Sequence, residues 1–278
     1  MVTVVLQAYG RDRIVQEARF AIASVLHWAL RQPTPWRVVV YTDQPSRFGG
    51  PNVVTEPMDA DRLRAWRGAV DFVHRVKLEL LLDCLARYDD GTIFYLDSDT
   101  WCERDPFPLL ARVDEHTALM HLREGRLSDR SNGIMRKMHR FVKRTPLPLP
   151  DGTTVRISPD AEMWNAGVLG LDPRVAAPLL RRALALTDAM HARYRKHVTE
   201  QLAVSWVLQT NLRILPANDV VHHYWQSCAE LEPVLADFFA RHADADVASL
   251  AAAAVALAPR GTPRPPRRPW WARVIGRR

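Results

Sequence analysis

Ile93-Phe94-Tyr95-Leu96-Asp97-Ser98-Asp99-Thr100 is a short apolar run that stops abruptly at two carboxylates, two residues apart. β-branched and aromatic residues bounded by Asp89-Asp90-Gly91 before and by acids after predict a buried strand whose C-terminal end opens onto a loop. Open α/β sheets bind their ligands at that end. Carboxylates at i and i+2 of an extended chain project to one side, so a hard divalent cation could take oxygen ligands from both. The same spelling also describes turn chemistry, in which Asp side chains accept nearby backbone N–H groups.

Upstream, Val2 to Leu6 reads as a buried strand that runs into Gln7-Ala8-Tyr9-Gly10, a candidate ligand-facing loop. Ile14 to Leu30 carries apolar residues at helical spacing, with Asp12 as its expected cap. Trp36 to Tyr41 is a second strand, closed by Thr42-Asp43-Gln44-Pro45. Strand, helix, strand at this spacing predicts a right-handed βαβ crossover with parallel strands, both ending at one crevice. Val53-Val54 follows as a short strand, then a leucine-rich helix from Phe72 to Tyr88 capped by Asp71, which feeds the acidic strand.

Downstream, Thr117 to His121 predicts another strand. Arg123 to Arg144 is dense in Arg and Lys and contains a helix from Gly133 with Ile134, Met138, Phe141 and Val142 on one face. Pro146, Pro148 and Pro150 mark residues from about 123 to 160 as an insertion rather than core sheet. Trp164 to Leu171 restores a strand pattern interrupted by Asn165 and two glycines, tolerated where a bulge or a ligand needs close backbone approach. Ala176 to Ala192 and Thr199 to Leu208 are expected helices, the second capped by Thr199. In the extended run ending His222-His223, the two imidazoles must point to opposite sides. Helical patterns at 231–240 and 247–257 form a C-terminal extension.

The chain has 278 residues, 47% hydrophobic and 25% charged, enough for one sizeable α/β domain. Its net charge of +7 comes from the last stretch, where Arg260 to Arg278 holds seven arginines and no acid. The preceding body balances at 31 basic against 31 acidic residues, which argues against a nucleic-acid partner. Residues 259–278, rich in Pro, Arg and Trp, are expected to be disordered and suited to peripheral contact with an anionic membrane surface. Cys84, Cys102 and Cys228 show no disulfide or metal-site spacing, which predicts a reducing, cytoplasmic setting. No signal peptide is recognisable at the N-terminus.

The βαβ opening, the run KLELLLDCLARYDDGTIFYLDSDTW from Lys77 to Trp101, Asn165-Ala166-Gly167, Glu200-Gln201 and a late histidine occur in one order. Together they resemble the GT-A-fold nucleotide-sugar glycosyltransferases, nearest to glycosyltransferase family 8 and the glycogenin-like enzymes, over residues 1 to 228. The resemblance implies a Rossmann-like, mostly parallel α/β sheet flanked by helices. It also implies transfer of a sugar from a nucleotide-sugar donor, a UDP-sugar, to a glycan, lipid or small-molecule acceptor, with retention of configuration. Asp97, Asp99 and His223 would hold Mn²⁺ or Mg²⁺, with Asp97 shared with the ribose and His222 the alternative to His223. Lys77 and Glu200 would serve the reaction; Asn165 and Gln201 would meet the transferred sugar; Tyr9 and Asp43 would border the nucleobase.

The chain departs from that family after His223. Tyr224-Trp225-Gln226-Ser227-Cys228 lacks the usual glycine and lysine, so Arg136, Lys137 or Arg140 is the expected substitute at the diphosphate. Two other functions fit the residues less fully. A nucleotidyltransferase of related fold would want a glycine-rich phosphate loop, and Gly10-Arg11-Asp12-Arg13 has one glycine. A catalytically silent scaffold, acting through its tail, is favoured only by the missing lysine.

Overall fold

The computed structural model describes residues 1 to 257. β1 (Val2–Ala8), α1 (Asp12–Ala29) and β2 (Trp36–Thr42) form the expected crossover, with β1 and β2 parallel, and β3 (Val53–Pro57) extends the sheet on β2. After α2 (Ala60–Arg67) and α3 (Arg75–Arg87), β4 (Thr92–Leu96) pairs in parallel with the other side of β1. The chain continues through β5 (Thr100–Cys102), the single-turn α4 (Phe107–Leu110), β6 (Thr117–Met120) and β7 (Arg123–Arg126). Next come α5 (Gly133–Arg144), β8 (Leu147–Pro148), β9 (Thr154–Val155), β10 (Glu162–Trp164) and β11 (Val168–Leu171). The last elements are α6 (Pro173–His191), α7 (Thr199–Asn211), β12 (Arg213–Pro216), β13 (Val221–His223), α8 (Cys228–Arg241) and α9 (Val247–Leu257).

The central sheet has seven strands in the order β3-β2-β1-β4-β11-β6-β12, and β11 alone runs against its neighbours. The expected α/β architecture with a mostly parallel sheet is therefore the one observed. Alternation along each strand builds two cores. Val5, Val39, Tyr41, Ile93 and Tyr95 face α3, α6 and α7, while Val4, Leu6, Val38, Val40, Phe94 and Leu96 face α1. A third cluster joins Phe20 of α1 and Trp101 of β5 to Leu235 and Phe238 of α8 and Ala254 of α9, so both C-terminal helices seat on α1. None of the described helices is long and apolar enough to cross a membrane.

Several local expectations need correction. The helix predicted from Phe72 begins at Arg75, because Asp71 adopts a left-handed φ of 49° and pairs with Arg67 instead of capping. An additional helix, α2, is capped by Asp59, whose carboxylate accepts the Arg62 N–H at 2.7 Å. Asp12 is the first residue of α1; its carboxylate accepts from Gln16 and Arg47. Thr199 likewise lies inside α7, and its hydroxyl donates to the Lys196 carbonyl. On α5 the inward residues are Met135, Met138, His139 and Val142, and Ile134 is exposed. Residues 123–160 add no strand to the seven-stranded sheet and pair instead as β7 with β10 and β8 with β9. The tail at 259–278 lies outside the described residues.

Candidate active site

Asp97 and Asp99 follow β4 directly, at the C-terminal edge of the parallel strands. Because β11 is antiparallel to β4, its beginning lies beside the end of β4, and the Asp97 N–H donates to the Gly167 carbonyl at 2.8 Å. This explains why the single strand expected over 164–171 is broken: Asn165-Ala166-Gly167 turns into the site between β10 and β11.

β13 pairs antiparallel with β5, setting His223 opposite Thr100. His223 Nε2 lies 3.1 Å from Asp99 Oδ1 and 4.0 Å from Asp97 Oδ2. One ligand atom from each of Asp97, Asp99 and His223 lies within 4.8 Å of the others. His222 faces the other way, stacked on Trp101 with ring centroids 4.3 Å apart and 3.6 Å from Glu103. Burial pushes the Asp99 carboxyl up, but hydrogen bonding and charge interaction with His223 outweigh it and hold the group below its ordinary value.

Asn165 orients His223. Its Oδ1 accepts the Gly167 N–H at 3.0 Å, which identifies that atom as the oxygen, and the same oxygen lies 3.0 Å from His223 Nδ1. Nδ1 must then donate to Asn165, so Nε2 is the nitrogen that meets Asp99, and it would offer its lone pair to a cation in exchange for the proton it shares with that carboxylate. Gly167 leaves the necessary room, since a Cβ there would lie 2.2 Å from His223 Cε1. Two carboxylates and an imidazole held in this tautomer form an oxygen and nitrogen donor set that suits Mn²⁺ or Mg²⁺.

Lys77 is buried rather than solvent-facing, as a helical lysine would be by default, with 4% of its surface exposed. Its Nζ donates to the Ala166 carbonyl at 3.0 Å and lies 3.4 Å from Asp97 and 3.6 Å from Glu200. Burial lowers the Lys77 pKa, but Asp97 and Glu200 together raise it above the ordinary lysine value. Glu200, 2% exposed, is pushed up to about 7 by burial, which Lys77 offsets only in part. Its Oε1 has no hydrogen-bond partner among the described residues. A carboxyl of this kind, poised near neutrality in a closed environment, suits proton transfer or the steadying of developing positive charge.

Gln201 Nε2 donates to Glu124 Oε2 at 3.1 Å, and Asn165 Nδ2 donates to Glu124 Oε1 at 3.3 Å. Glu124 thus bridges the two predicted sugar-contact residues. Nothing in its sequence neighbourhood, an exposed strand among arginines, singled it out. Tyr9 is partly buried against the core beside Asp97, and burial, aided by Asp97, raises its hydroxyl to about 12. Asp43 is exposed and accepts the Gly10 N–H at 3.0 Å, tying the loops after β1 and β2 together. Arg136, Lys137 and Arg140 make no ion pair with Asp97, Asp99 or Glu200 among the described residues. Lys137 and Arg140 instead line a surface groove with Phe141, Arg144, Thr145 and Tyr194.

No family model matches the sequence, and no curated protein matches it significantly. Among solved structures the chain is similar to the galactosyltransferase LgtC in complex with donor and acceptor sugar analogs, with a TM-score of 0.50 and 16% identity, over 77% of this chain and 73% of that one. It also matches the apo bifunctional glycosyltransferase WbbM at a TM-score of 0.46 and 18% identity, covering 78% of this chain and 39% of that chain's length. The strand order, the opening crossover and the match to LgtC give one conclusion: this chain has the GT-A fold.

Proposed function

We propose that this protein is a divalent-metal-dependent glycosyltransferase that moves a sugar from a nucleotide-sugar donor, a UDP-sugar, to a glycan, lipid or small-molecule acceptor with retention of configuration. The observation that carries this reading is the convergence of Asp97, Asp99 and His223 with Lys77 and Glu200 at the ligand-binding end of the sheet. Transfer expels a nucleoside diphosphate, whose negative charge must be stabilised as the glycosidic bond breaks. A divalent ion held by Asp97, Asp99 and His223 would supply Lewis-acid stabilisation of that leaving group. Asn165 keeps His223 in the tautomer this requires.

Asp97 would also meet the ribose, with Tyr9 and Asp43 flanking the base. Lys77 holds the Asp97 carboxylate and the Glu200 carboxyl in one frame, which fixes where charge is felt at the reacting carbon. Glu200 would steady an oxocarbenium-like centre, and Gln201 and Asn165, braced by Glu124, would border the sugar. A cytoplasmic setting, with the basic tail at a membrane surface, completes the proposal.

Thermal stability of the wild type and of Asp99→Asn, measured with UDP in the presence and absence of Mn²⁺, tests it. A ligand that binds only the native state raises apparent stability by mass action. A Mn²⁺-dependent rise that disappears in the variant is expected. No rise in either protein would return Asp97 and Asp99 to turn chemistry and favour a silent scaffold.

A further inference from the structure

We propose that Arg13, in the first turn of α1, receives the donor's diphosphate in place of the absent lysine after His223; this rests on the nucleotide-sugar reading of the site. A cationic side chain adds to the stabilisation that a divalent ion gives the leaving diphosphate. The segment after His223 supplies none, since Tyr224 to Cys228 is uncharged and then enters α8. Lys77 is buried and committed to Ala166, Asp97 and Glu200. Lys137, Arg140 and Arg144 of α5 line a groove of their own.

Arg13 is joined to the carboxylate loop by two short routes. Its Nη1 lies 3.2 Å from Glu17 Oε1, and Glu17 Oε2 accepts at 3.3 Å from the hydroxyl of Ser98, the residue between the two aspartates. Arg13 also lies beside Cys228, whose thiol donates to Asp99 Oδ2 at 3.5 Å. The Arg13 side chain is 28% exposed and that of Glu17 is 3% exposed. The pair is therefore anchored at its acidic end and open at its basic end.

A guanidinium offers five N–H donors in a fork that matches phosphate oxygens, and Glu17 engages one of its terminal nitrogens. Without Arg13, Asp97 and Asp99 would lack a cation on this side, and Glu17, whose carboxyl is raised to about 7 mainly by burial, would lose the partner that favours its charged form. The competing role is neutralisation of Glu17 alone. That role would act on the fold and treat all ligands alike.

Calorimetric titration at saturating Mn²⁺ distinguishes the two. Whichever of UDP, GDP and dTDP binds the wild type most tightly is compared with its parent nucleoside, in wild type, Arg13→Gln and Arg13→Lys. Loss of charge-assisted hydrogen bonds to phosphate predicts that Arg13→Gln weakens the diphosphate by about 10- to 100-fold and the nucleoside by less than about 2-fold. Arg13→Lys, which keeps the charge without the fork, should fall between and gives the answer if Arg13→Gln folds poorly. Unchanged diphosphate affinity, or equal loss of diphosphate and nucleoside, overturns the assignment. A wild type that binds none of the three diphosphates overturns the glycosyltransferase reading itself, and Arg13 with it.

Discussion

Two basic–acidic pairs flank the aspartates after β4, and they differ in a way that separates two jobs. Lys77 with Glu200 is closed on both members, at 5% and 3% side-chain exposure, whereas Arg13 with Glu17 is closed only at the acid, at 28% and 3%. In the closed pair the Lys77 ammonium is engaged on the protein side by Ala166, Asp97 and Glu200, so it sets the position and protonation of those neighbouring groups. The half-open pair can hold a loop and still present donors outward. Burial, rather than charge type, sorts one role from the other.

Removal of the cation from the closed pair should have the largest effect. Lys77→Ala leaves Glu200 and Asp97 without their shared partner, and breaking a buried pair in this way costs about 3–5 kcal/mol. Urea unfolding should show the midpoint falling steeply. A change below about 1 kcal/mol would mean that the interior around Glu200 is wetter than its burial implies.

The pH dependence sharpens the same contrast. The Glu200 pKa is raised from 4.5 to about 7 in the native state, so protonation is favoured by folding. Its cost to the fold is absent below pH 4.5, grows as pH rises towards 7 and levels off above. Glu200→Gln should therefore gain stability relative to wild type between pH 5 and pH 8, on the order of 1–3 kcal/mol, in protein kept in chelator. A gap that stays constant across that range would remove the burial argument.

Gly167→Ala probes the space beside His223 and Asp97. The added methyl would meet the His223 ring at 2.2 Å, so the imidazole must move while the sheet is retained. Mn²⁺ affinity should fall about 10- to 100-fold, the range expected when a ligand is disoriented. Unaltered Mn²⁺ binding would count against His223 as a ligand. The smallest effect is expected from Arg13→Gln on stability alone, within about 1 kcal/mol, because a partly exposed ion pair contributes little. A larger loss in thermal unfolding would assign Arg13 to the fold.

The βαβ opening and the strand that ends at Asp97 were legible because apolar runs and helical spacing survive in a linear string. Asp97, Asp99 and the opposed pointing of His222 and His223 follow from the two-residue period of extended chain. Glu124, Glu17 and Arg13 were not legible. Each is an ordinary charged residue on an unremarkable stretch, and their importance comes from partners 41 or 77 residues distant for Glu124, and 81 for Glu17. The helix caps failed for a related reason: Asp71 and Thr199 have capping chemistry, but neighbouring turns engaged them differently.

Sequence alone therefore determined the βαβ opening, the parallel crossover and the carboxylates at the end of β4, since those depend on local period and burial. The tertiary structure decided which histidine faces them, that Lys77 lies inside, and that Asn165 serves as an orienting acceptor for His223. All three depend on β11 running antiparallel to β4 and β13 pairing with β5. Such pairings join distant segments through backbone hydrogen bonds that every residue carries, so no residue type announces them in advance.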